Sequence, residues 1–203
     1  MANMKKLQTP IGLQEIGFVK FGATTEKTLG NSVLANLSIE TNDLTVYGDD
    51  ALQIDQSVFK QGTLSTETLL DDLQLEAELF GSTYTADGGS GGGTGKVVDK
   101  TSDISPYVAV YFIQHLMLRS EAGAMSDVYR YTLLPKASAL RSSIKQEAQT
   151  QGESIEPKNH TVDFRIFAND TTGEWRQRED FATLDAAKTA VIAAAKTAAG
   201  GSE

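Results

Sequence analysis

Residues 62–81, GTLSTETLLDDLQLEAELFG, change period halfway, and that change limits what the chain can fold into. The first half alternates as a strand does, with Leu64, Thr66, Thr68 and Leu70 on one face. In the second half Leu73, Ala77 and Phe80 recur at i, i+4 and i+7, one apolar stripe along a short helix. Asp71 stands at the N-cap position with Gln74 three residues on, the spacing of a capping box. Gly81 supplies the left-handed residue that stops a helix. A strand therefore runs straight into a short helix, and the residues on either side read as further strands. The expectation is a sheet with one helix packed on it.

The flanking segments fill in that picture. Residues 13–21 (LQEIGFVKF) read as a first strand, preceded by a polar arm broken at Pro10, and 22–32 read as a loop. Val33, Ala35, Leu37 and Ile39 alternate with polar neighbours as a second strand. Residues 41–61 mix apolar side chains with acids around Gly48-Asp49-Asp50, a long excursion with room for a hairpin. The run DGGSGGGTG at 87–95 is a flexible linker by composition. After it, 107–113 (YVAVYFI) is apolar on both faces, so that strand must be covered on both sides or lie at an interface. Residues 128–134 form another strand, which Pro135 should end, and 138–156 are polar loop or weak helix. Val162, Phe164 and Ile166 mark the last long strand, 169–173 (NDTTG) a turn, and 174–178 a short strand carrying Trp175. An alanine-rich helix closes the sequence at Leu184–Ala198, capped by Thr183, with Leu184, Ala187, Val191 and Ala195 along one side. In it Asp185 and Lys188 are spaced to pair, and Lys196 suits the negative end of the helix.

Chemistry is hard to place on this chain. The 203 residues contain no cysteine, so there is no disulfide framework or thiolate nucleophile, which fits assembly in a reducing cytoplasm. The N-terminus has lysines but no apolar region behind them, and no apolar run approaches the roughly 20 residues that span a bilayer. A net charge of -9 argues against wrapping nucleic acid and permits a surface that nucleic acid passes without sticking. The run GGGTGK at 91–96 is not a P-loop, because Ser90 and Val97 occupy positions that need glycine and Ser or Thr. Ser142 and Lys145 match Ser-x-x-Lys without the partner motifs of a penicillin-recognising site. His115 and His160 are far apart with no zinc spacing, and read as strand-end or surface histidines. The pairs Asp49/Asp50 and Asp71/Asp72 read as turn and cap residues rather than as an acid and its base. An enzyme is not expected.

Several segments resemble, in order, a major tail protein of long-tailed bacteriophages, the tube-forming family of non-contractile tails. Residues 11–21 resemble that family's Gly-Leu-x-x-aromatic opening strand, and 44–50 (LTVYGDD) its Leu-Tyr-Ala-Asp-Asn turn. Residues 64–81 resemble its strand-to-helix segment, and 103–112 (DISPYVAVYF) its Ala-Pro-Tyr-Val-Ala-aromatic strand. Residues 150–167 are similar to its Thr-x-Gly-Asp-Ser approach to the last long strand, and 181–187 (FATLDAA) to its C-terminal helix start. No single piece is specific, but together they cover most of the chain. The Gly-rich run is longer than the family's pattern leads one to expect.

The resemblance implies a mainly β fold: a tail-tube β-sandwich or barrel with one short flanking α-helix and a C-terminal α-helix. Residues 1–182 would be the tube domain, with a long loop at 41–61 and a Gly-rich loop at 87–95, and 183–203 the alanine-rich helix and tail. The implied role is structural: a virion protein, assembled in the host cytoplasm, whose hexameric rings stack into the conduit for genome ejection. Strands of neighbouring subunits would join into one barrel around the channel. Implied partners are further copies of the chain, a tape-measure protein in the lumen, tail-terminator and distal-tail proteins at the ends, and phage DNA in transit. No membrane and no cofactor is implied. A tube subunit of a contractile injection system or phage-derived particle shares the fold and is the second reading. A stand-alone β-sandwich binding module or enzyme is the third.

Two sets of residues follow as candidates. Leu44, Val46, Tyr47, Leu52, Ile54, Val58 and Phe59 make the 41–61 segment too apolar for a solvated loop, so they either fold back on their own subunit or stack on the next ring. Glu67 and Asp163, opposite the apolar faces of their strands, are candidates for an acidic channel wall, or else plain exterior acids.

Overall fold

The computed structural model describes residues 7–48, 51–69, 72–86, 95–119, 123–143 and 159–200. In chain order these form β1 (Leu7–Lys20), β2 (Glu26–Thr28), β3 (Ser32–Gly48), β4 (Ala51–Thr68), α1 (Leu73–Phe80), β5 (Thr83–Thr85) and β6 (Lys96–Val98). There follow β7 (Tyr107–Arg119), β8 (Met125–Ala139), a 3-10 turn at Arg141–Ser143, β9 (His160–Phe167), β10 (Gln177–Phe181) and α2 (Leu184–Ala198). Eight strands make one antiparallel sheet in the order β2-β1-β7-β8-β9-β4-β3, with β10 also on β8, and β5 pairs with β6 in a separate two-stranded sheet.

The sandwich or barrel expected from the resemblance does not form, because neither sheet closes. Both ends of the large sheet stay open: nothing described pairs with the outer edge of β3, and the outer edge of β1 carries only the three-residue β2. The apolar faces are covered by other means. On one side the sheet curls, so that Ile16, Phe18, Leu64, Val110, Leu134, Phe164 and Ile166 meet in one cluster plugged by Leu79 and Phe80 of α1. On the other side α2 lies over β7 and β8. Its stripe of Ala187, Val191 and Ala195 is fully buried, and these small side chains bring the helix close to the sheet. Tyr111 and Tyr131 fill the space beneath it.

Residues 108–113 are therefore covered on both faces within one chain, Val108, Val110 and Phe112 by the curl and Ala109, Tyr111 and Ile113 by α2. That strand needs no neighbour to bury it. Both buried tyrosines keep a hydroxyl partner, Tyr111 donating to Glu15 at 3.3 Å and Tyr131 to Glu179 at 3.1 Å. Burial, reinforced by that carboxylate, pushes the Tyr131 phenol up to about 12 and moves Tyr111 in the same direction.

Local signals fare unevenly. Thr183 caps α2 over the expected range and Lys196 lies in its last turn, where it also pairs with Glu26, but Lys188 pairs with Glu15 rather than with Asp185. For α1 the cap is Asp72, whose carboxylate accepts from the Gln74 and Leu75 amides, one residue later than expected; Asp71 lies outside the described residues. The helix buries Ala77, Leu79 and Phe80, while Leu73 is exposed. Gly81 does stop it, at φ 72°. Neither Pro10 nor Pro135 ends its strand. Each sits at or beside a register shift, where a missing N–H costs no ladder bond. Of the Gly-rich run only Gly95 is described; the run joins β5 to β6, which pair across it.

Candidate functional site

The most distinctive feature is a two-stranded arm. β9 pairs with β4 only from Gly62 to Thr68, whereas β3 and β4 stay paired out to Gly48 and Ala51. The loop expected at 41–61 is thus the outer half of a long hairpin. From Thr41 to Gly48 it extends about 25 Å, at the usual rise of a strand. Asp49 and Asp50, at its turn, lie outside the described residues.

A bulge marks the base of the arm: Glu40 faces Gln61 and Thr41 faces Phe59, leaving Lys60 as the extra residue. Glu40 ties the base down by accepting from Gln61 at 2.7 Å and pairing with Lys60 at 3.6 Å. Beyond it the rungs alternate. Thr41, Asp43 and Ser57 share one face, where Asp43 accepts from both hydroxyls. Val58 and Leu44 share the other and are 61% and 55% exposed.

Of the candidate stacking residues, only Leu44, Val58 and Phe59 have described side chains, and Phe59 parts company with the other two. It turns back on its own subunit, packing against the curled core and stacking on Trp175 with ring centroids 4.5 Å apart. Val46 and Ile54 face each other across the ladder, as do Tyr47 and Leu52, all in the outer part of the arm.

Glu67 and Asp163 are brought onto one face. Ser65 faces Asp163 and Glu67 faces Thr161, on the side of β4 and β9 opposite to buried Leu64, Thr66, Val162 and Phe164. Both acids are half-buried. Glu67 accepts from the Asn159 amide at 3.0 Å, and the Asp163 backbone is held by Ser143 and Leu140. Thr63 and Arg165 continue this polar face, and α2 does not reach it.

Strand β10 begins three residues later than the expected strand at 174, so that Trp175 precedes it and Gln177 opens the pairing with Leu133. Arg130, Trp175, Arg176, Arg178, Glu179 and Asp180 line an open groove of about 710 Å3 there. Arg130 donates to Asp180 at 2.6 and 2.8 Å and to Gln8 at 2.6 Å. The bonds from Arg130, with one that Gln8 donates to Asp180 at 3.0 Å, hold the Asp180 carboxyl below its ordinary range. Nothing in the sequence pointed to this groove, because Arg130 and Arg176 are far apart along the chain and share no spacing motif.

The histidines sit where strands put them. His115 on β7 bonds Asp127 at 2.8 Å and stacks on Tyr129, and His160 opens β9. Among the described residues no group of three or more His, Asp or Glu is placed to hold a metal ion, and no helix is long and apolar enough to cross a membrane. No family model matches this chain, and no curated protein matches it.

Proposed function

We propose that this chain is a structural subunit that assembles into the tube of a non-contractile phage tail, in stacked rings. The observation that carries the reading is the arm. A paired extension of about 25 Å that leaves Leu44 and Val58 more than half exposed is stabilised by another surface to bury them, at about 25 cal/mol per Å2 of apolar area. The ends of the sheet support it. A 17-residue edge strand whose outer edge has no partner among the described residues invites pairing with another chain, and β3 presents one. Edge joining around the ring and arm contacts between rings are separate directions of growth, as a tube requires. The half-buried acids Glu67 and Asp163 then belong to the channel wall, where DNA passes without binding.

Negative-stain electron microscopy of the purified full chain, with light scattering across a wide concentration range, tests the proposal. Rings or tubes of uniform diameter are expected. A strict monomer at every concentration overturns it.

A further inference from the structure

One strand edge beside the Trp175 groove is left open by the fold. β7 occupies one side of β8 along nearly its whole length, from Met125 to Ser138. The other side is shared. β9 pairs there with Lys136–Ala139 and β10 with Tyr129–Leu133, so the two form one strand lane interrupted by residues 168–176. β4 lies beside the β9 part alone. Beyond Gly62 it departs with the arm, and among the described residues no strand takes its place beside β10. The outward edge of β10 is thus unpaired, and Gln177, Arg178, Glu179 and Asp180 are all exposed.

The groove at that edge is cationic. Arg130, Arg176 and Arg178 line it together with Glu179 and Asp180. Glu179 gives its carboxylate to the Tyr131 hydroxyl, on the face of β10 that α2 covers. Asp180 is held by Arg130 and Gln8, and the charge of Arg178 acts on it as well. Three guanidiniums therefore stand against the one carboxylate that stays on the groove side. Arg176 is the least satisfied of them. It lies over the Trp175 ring at 4.4 Å, and among the described residues it makes no hydrogen bond or ion pair. Burial, and then the charge of Arg178, push its guanidinium below the ordinary value, a cost that an anion would relieve.

A free backbone edge and surplus positive charge on the same side select one kind of partner. Strand addition takes affinity from the N–H and C=O groups of an open edge and selectivity from the side chains beside it. The charges of β10 deter an apolar strand. Carboxylates two residues apart on an added strand share one face and lie about 7 Å apart, a spacing that suits Arg176 and Arg178. Nucleic acid would meet the charge without using the edge.

We propose that β10 takes up an extended acidic peptide of another protein as an added strand, its carboxylates paired with Arg176 and Arg178. The site needs only one copy of the chain, so it stands or falls independently of the tube reading.

A short synthetic peptide of alternating Glu and Thr, titrated into the full chain, tests the proposal. Emission of Trp175, the only tryptophan, is one readout and polarisation of the labelled peptide the other. Saturable binding is expected, weakening as salt is raised. A Lys–Thr peptide of the same length should not bind. N-methylation of the Glu–Thr backbone keeps the carboxylates but removes the N–H donors, and it should abolish binding. Arg176→Gln with Arg178→Gln should raise Kd about tenfold, with circular dichroism melts as the check on folding. The peptide comparisons use the wild-type chain, so they decide the matter even if that variant folds poorly. No saturation by about 1 mM peptide overturns the site. Equal binding of the N-methylated peptide overturns it too, since charge would then act without strand addition, and so does unchanged binding by the arginine variant. A single-stranded oligonucleotide that binds more tightly than the peptide and displaces it would assign the groove to nucleic acid, which likewise overturns the proposal.

Discussion

Phe59 and Trp175 lie face to face, 4.5 Å between ring centroids and 2° from parallel, and they join the base of the arm to the strand that carries the arginine groove. Aromatic pairs of this kind contribute about 0.5–1.5 kcal/mol beyond the area they bury. A double-mutant cycle of Phe59→Ala and Trp175→Ala should give a coupling energy in that range, read from urea unfolding followed by circular dichroism. Additive losses would mean that the stack does not fix the arm. Trp175 is the only tryptophan, so Phe59→Ala should also change the emission of the native protein.

Leu52 and Ile54 belong to the outer arm, beyond the last rung that β9 shares with β4. Leu52→Asp with Ile54→Asp should therefore give a soluble chain with near-normal thermal stability that fails to form tubes. Melting well below the wild type would show instead that these side chains are held by the subunit's own core.

Glu67 and Asp163 share the polar face of β4 and β9. Replacing both with lysine in a phage carrying this chain should leave tails of normal appearance but slow genome ejection, since a cationic wall binds passing phosphate. Unchanged ejection from such tails would put this face outside the channel. Because the Asp163 amide is anchored to Ser143, subunit melting is the control for misfolding.

Acid should loosen the Gln8–Arg130–Asp180 cluster. The hydrogen bonds from Arg130 depress the folded-state pKa of Asp180, so between that value and the ordinary carboxylate value the unfolded chain binds more protons. The contribution is present in full above the ordinary value and disappears as pH falls through the folded one. Asp180→Asn should lower the melting temperature at neutral pH, and its curve should converge on the wild-type curve as pH falls below the ordinary carboxylate range. A constant gap at all pH values would mean that ionisation of Asp180 is not what stabilises the cluster.

The bounds and the buried stripe of helix α2 were legible because their signals are local: a Thr cap and small residues recurring on one side. The approach to α1 was legible to within one residue, the ambiguity lying between two adjacent aspartates of which either has the chemistry of a cap. Openness of the sheet was not legible, since closure depends on whether β1 and β3 pair, and strand periodicity carries no information about distant edges. The double-sided strand at 107–113 was legible only as a choice between cover on both sides, which the structure shows, and an interface. Its outer cover comes from a helix more than 70 residues on, and apolarity alone does not distinguish that cover from a neighbouring subunit. Both prolines misled because a bulge removes the need for the amide that proline lacks. The groove was invisible because it depends on a β8 residue meeting the approach to β10, a pairing known only once the register is known.

Since β3 and β4 pass from the core into the arm as continuous strands, the arm has no loop about which to swing. A pull at its tip along the strands is carried as shear across many backbone hydrogen bonds of the β3–β4 and β4–β9 ladders at once, and not by opening them one after another. At the base of the arm the compliant point is the Lys60 bulge, where twist increases and the ladder is locally broken. Bending between stacked copies would concentrate there, next to the Phe59–Trp175 stack, leaving the curled core undeformed. A column of such subunits would flex at its joints while each subunit kept its shape.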